Sequence, residues 1–121
     1  MKHVVIAIAV AAAVSSTSLS AHHSYSAYEL DRLVEVDGVL DEFDWRAPHS
    51  LLKVISDEGQ MYIFEWQAPL GLQRRGIQQD TLKKGERVHV TGNPHRDFAQ
   101  NRILNFKSVQ RMSDGWKFPN W

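Results

Sequence analysis

Between Val34 and Trp45 apolar and polar positions alternate with a period of two, the spacing of a β-strand, yet neither side is left wholly polar. Val34, Val36 and Leu40 share one side with Gly38, while Val39, Phe43 and Trp45 share the other with Asp37 and Asp41. A strand that is apolar on both sides and carries an internal glycine suits a small closed barrel, in which one strand bends to pair with two neighbours. The strand is predicted to end at Trp45. Arg46-Ala47-Pro48-His49 then reads as a turn, because Pro48 fixes its own φ, lacks a donor and pushes Ala47 out of the helical region. That turn holds His49 at a barrel rim.

The same pattern places the remaining elements. Ser50–Ser56 is strand-like, Asp57-Glu58-Gly59 is a hairpin turn, and Met61–Trp66 returns antiparallel with Tyr62, Phe64 and Trp66 on one face. Because its other face also carries Met61 and Ile63, this third strand is expected to be central. Ala68–Gln79 suits a short helix, with Pro69 near its first turn and Gly76 at its end. Asp80–Glu86 is a polar turn. Arg87–Gly92 alternates with Val88 and Val90 inward and His89 outward, and Arg102–Gln110 supplies a fifth strand after a loop over Asn93–Asn101. Three strands, a helix and two strands predict a mainly β fold, a five-stranded OB-like Greek-key barrel with one short helix between strands 3 and 4. The alternative, an SH3-like barrel, would need no helix there.

Residues 1–21 are of a different kind. Lys2 and His3 precede the apolar run Val4–Val14, and Ser15–Ser20 leads to Ala21, the pattern of a cleaved secretory signal peptide. The run is 11 residues, shorter than the roughly 20 needed to span a bilayer as a helix, so no transmembrane segment is expected after processing. The expected organisation is a signal peptide over 1–21, an arm over 22–33, a barrel over 34–111 and an aromatic tail over 112–121. Localisation is then periplasmic or secreted. Cleavage after Ala21 leaves 13 Lys+Arg against 14 Asp+Glu, a formal charge of −1. Nucleic acid is disfavoured as a partner, since phosphate binding asks for clustered cations. There is no cysteine, so thiolate catalysis, disulfides and thiolate metal sites are excluded and the core must supply stability alone. Four Trp, three Tyr and five Phe give it the means, at about 150–250 Å² buried apiece.

His22-His23-Ser24 and Trp45-Arg46-Ala47-Pro48-His49, followed by Leu72-Gln73-Arg74-Arg75-Gly76 and Leu82-Lys83-Lys84-Gly85-Glu86, resemble a family of small exported bacterial proteins of unknown function. That family is marked by a mature His-His-Ser start and a Trp-x-x-Pro-His motif. This chain departs from it at Ala47, where a polar residue is expected, and in the length of its aromatic end, Trp116–Trp121. The resemblance implies export and a single small β domain, and it names no substrate.

Candidate chemistry centres on histidine. His22 and His23 would stand at a newly made amino terminus, where an α-amine and imidazole nitrogens together suit Cu(II). Cleavage after Ser20 would instead give Ala21-His22-His23, a second arrangement suited to copper. His49, pinned behind Pro48, is the natural further ligand of a metal site formed by His22, His23 and His49, and the bland reading is that it caps its turn. His89 reads as a surface residue and His95 as a lower-ranked ligand in a loop. Trp45 and Trp66 read as core, and Trp116–Trp121 as a surface for a protein partner or ligand. For catalysis the signals are thin: Ser24 beside His23 is only a sequence neighbour, and Asp37, Asp41, Glu42 and Asp44 look like a polar border. The residues thus point to an exported binding protein. Its alternatives are a metal-free interaction or small-ligand adaptor and a copper-dependent oxidative enzyme.

Overall fold

The computed structural model describes residues 25–120. Its elements are β1 (Val34–Asp44), β2 (Leu51–Ser56), β3 (Met61–Glu65), α1 (Pro69–Arg74), β4 (Arg87–Pro94), α2 (Phe98–Asn101), β5 (Ile103–Arg111) and β6 (Lys117–Phe118). Antiparallel pairing runs β3-β2-β1-β4-β5-β6, and a parallel pairing of β3 with β5 closes the first five strands into a barrel. This is the predicted OB-like order, with α1 between the third and fourth strands.

β1 explains the double-sided pattern. Its first half, Val34–Val39, pairs with β4 and its second half, Gly38–Asp44, pairs with β2, so the strand changes partners at Gly38. A Cβ at Gly38 would collide with the Ile55 carbonyl, which makes glycine a requirement of close approach. The register then skips Asp41: Leu40 faces Val54 and Glu42 faces Lys53. This bulge shifts the inward phase by one residue, from Val36 and Leu40 to Phe43, so residues of both apolar sets reach the core while Val39, before the bulge, stays exposed.

The barrel interior is built on cross-strand pairs. Phe64 lies between Leu52 and Leu104, Val90 between Val36 and Val109, and all are buried. β3, expected to be central, stands at the end of the antiparallel order and gains its second neighbour through the three-residue parallel pairing with β5, with Phe64 buried and Met61 exposed. α1 is shorter than the predicted Ala68–Gln79, ending where Gly76 adopts φ +82 and lets Ile77 N–H return to Leu72 C=O. Leu72, Ile77 and Leu82 plug one end of the barrel.

Three parts of the chain do more than their local pattern suggests. The arm is clamped to the end of β4: Glu29 N–H donates to Pro94 C=O, Arg96 N–H to Ala27 C=O, and Tyr28 is buried. β4 therefore continues past Gly92 to Pro94, which has no N–H to give and takes part in the arm pairing through its C=O alone. The loop after it contains the one-turn helix α2. Beyond the fifth strand, Lys117 and Phe118 add β6 against Gln110 and Val109, and Trp116 and Phe118 pack on the core.

Candidate functional site

The parallel seam between β3 and β5 runs only from Ile63–Ile103 to Glu65–Asn105. Past it β3 stays with the start of β2, since Trp66 N–H donates to Ser50 C=O and Ser50 N–H to Gln67 C=O, whereas β5 continues toward β6. The parting of the two strands opens a cleft of about 510 Å³. Its walls come from five distant segments: the arm, the Pro48-His49 turn, the end of β3 with Arg75 after α1, β5, and the Phe118-Pro119 tail.

The floor is aromatic. Trp66 stacks on Phe106 at 3.8 Å between ring centroids and 20° between planes, and Phe118 tilts against Trp66 at 5.4 Å. Above it Tyr28 donates its hydroxyl to Glu65, and burial first, then that hydrogen bond and the nearby carboxylate charge, raise the phenol well above its ordinary range. Lys107 is the extra residue of a second bulge, because Thr91 faces Ser108 while Gly92 faces Phe106. A bulge re-aims a side chain that regular alternation would point elsewhere, and here Lys107 lines the cleft. Arg75 lies 4.6 Å from the centroid of the Phe118 ring.

His49 is exposed and lines this cleft, at the rim where the Trp-x-x-Pro-His turn places it. It does not close its own turn: the Ser50 hydroxyl does, donating to Arg46 C=O at 3.4 Å. Residues 1–24, with His22, His23, Ser24 and the expected signal peptide among them, lie outside the described residues, as does Trp121. Tyr25, the first described residue, lines the same cleft as His49. His89 and His95 do not line it. His89 Nδ1 sits 2.7 Å from Asp37 Oδ1 across the β1–β4 pair, and His95 is held rather than mobile, its Nδ1 accepting from Asp97 N–H at 3.0 Å while its ring meets Tyr28 edge-on. Among the described residues no group of three His, Asp or Glu side chains is placed to hold a metal by itself.

Two of the β1 carboxylates form ion pairs with Lys or Arg along the barrel surface, Glu42 with Lys53 at 2.9 Å and Asp44 with Arg46 at 3.0 Å. Trp66 is core, and Trp45 packs half-buried with its ring edge-on to Phe43. Sequence reasoning assigned no role to Tyr28, Glu65, Arg75 or Lys107. No local signal marks them, since they meet only through the barrel's closure.

No curated protein matches the chain. Among solved structures it is similar to apo TiaS, a tRNA agmatidine synthetase, at 19% identity and a TM-score of 0.42, over 65% of this chain and 17% of that one. The chain therefore spans under a fifth of that protein's length. A family model matches residues 8–103, and the chain belongs to that family, one of unknown function (DUF6152).

Proposed function

We propose that this chain is an exported binding protein that holds one Cu(II) at the mouth of the seam cleft, through the amine and imidazole of His22, the imidazole of His23, and His49. One observation carries the reading: Tyr25 and His49 line the same cleft. His23 is two residues from Tyr25, and two residues of chain span at most about 7 Å. The chain's own connectivity supports a reading in which the histidine pair meets the rim histidine. The donor set supports copper on chemical grounds, being all nitrogen with no thiolate to favour a softer ion. Export rests on the composition of residues 1–21, and it is what would create the free amine.

Two measurements test this together. Intact mass of the protein recovered from the cell envelope should correspond to a chain starting at His22, and a mass that includes residues 1–21 would remove the amine from the site. Copper titration should then give tighter binding to the processed protein than to a form extended by one Met before His22, which keeps every imidazole but displaces the amine. Affinity should fall as the solution is made acidic, because protons compete with the metal for imidazole and amine nitrogens. Equal affinity for both forms would contradict the reading.

A further inference from the structure

The body of the cleft, below the rim that carries His49, has a chemistry of its own. Its wall holds two cations, Arg75 and Lys107, and one carboxylate, Glu65. Glu65 already accepts the Tyr28 hydroxyl. Neither cation is paired with a carboxylate among the described residues, although Arg32, Arg46, Lys53, Arg87 and Arg111 are. Arg75 rests on the Phe118 ring, which leaves its donors to other partners. Lys107 owes its direction to the bulge opposite Thr91 and Gly92, and Gly92 cannot be enlarged there, since a Cβ would stand 2.7 Å from the Asn105 carbonyl and 2.9 Å from Leu104. The backbone thus delivers a cation to a cleft whose floor is a stack of flat rings.

We propose that this cleft binds a small organic anion with a flat apolar body, its carboxylate meeting Lys107 and Arg75 and its ring lying against Trp66, Phe106 and Phe118. A net positive wall over an aromatic floor selects for both parts of such a ligand at once. The apolar face gains from burial, while the charge stays where water and two cations reach it. A cationic ring of the same shape meets repulsion from the same two residues. The binding does not depend on copper.

Benzoate, benzamide and benzylamine share one ring and differ in charge, so they separate the two contributions. Each is titrated into the processed protein in metal-depleted buffer, with the Trp66 indole resonance and calorimetry as readouts. Benzoate should shift Trp66 and bind most tightly, benzamide more weakly, and benzylamine least. Raising the salt concentration should weaken benzoate alone. Lys107→Gln and Arg75→Gln are exposed changes that leave the core intact, and each should lower benzoate affinity about three- to fivefold, as expected for solvent-accessible charge pairs. Benzamide should bind the variants as it binds the wild type. Equal affinity for the three probes, preference for benzylamine, or no shift of Trp66 at about 10 mM benzoate, beyond the weak millimolar range, would each overturn the proposal. Because no metal is present, failure here leaves the copper reading standing, and failure of copper to bind leaves this one standing.

Discussion

At the scale of single residues, Gly38 and Tyr28 fix most of what surrounds them, for opposite reasons. Gly38 matters through an atom it lacks: β1 passes so near the Ile55 backbone that a side chain has no room. Gly38→Ala should therefore cost about 2–3 kcal/mol through forced backbone movement, read as a lowered denaturation midpoint with unchanged slope. An unaltered midpoint would mean that β1 and β2 do not approach there. Glycine was visible in the sequence as the point of a bend, because a strand apolar on both faces must serve two partners and Gly38 is where it can turn between them. Tyr28 was not visible. Its neighbours in sequence are polar or small and carry no period, and its burial depends on Pro94 and Glu65, which lie far along the chain. His49 falls between the two: Pro48 announced the turn, but only the folded chain shows a cleft beside it.

At the scale of elements, strands announced themselves where alternation is long and hairpins where a glycine closes them. Gly59, at φ +83, completes the Asp57–Gly59 turn with its N–H donating to Ser56 C=O. Bulges were not legible, because the skipped residues Asp41 and Lys107 are defined by the partner strand's register rather than by their own neighbours. The same holds for β6, two residues long, and α2, a single turn. The β5–β6 turn nonetheless has a clear chemical lock. Arg111 grips Asp114 with two bonds, Nε to Oδ1 at 3.0 Å and Nη2 to Oδ2 at 2.9 Å, and Trp116 N–H donates to Asp114 Oδ1 at 3.0 Å. The Arg111 hydrogen bond foremost, with the Trp116 N–H, lowers the Asp114 pKa. A carboxyl group lowered in the folded state adds stability above its unfolded value, and that stability is lost as pH falls through the folded-state value. Asp114→Asn should accordingly melt below the wild type at neutral pH, and the gap should close as pH falls below about 4. A gap that persists in acid would assign the effect to packing instead.

At the scale of the whole molecule, the arm from Tyr25 and the tail at Phe118-Pro119 meet the barrel at one cleft. The predicted aromatic tail is part of the fold at Trp116 and Phe118, which pack on the core, and Phe118 helps to wall the cleft. Deleting residues 112–121 should lower stability by about 2–4 kcal/mol, from two half-buried aromatic side chains and the lost β6 pairing, in a urea titration. Unchanged stability would leave the tail free to serve a partner. The fold class was legible because strand order follows from local pattern and from where the helix falls. The cleft was not, since it is assembled from five segments that only barrel closure brings together. The central claim is that the amino terminus and the rim of this cleft make a single site, and electron paramagnetic resonance of the one-to-one Cu(II) complex tests it most directly. Processed wild-type protein should show one more coordinated imidazole nitrogen than His49→Ala, with tighter binding to match. Identical nitrogen patterns and equal affinity in the two proteins would contradict it, by showing that the terminal histidines take up copper without the barrel.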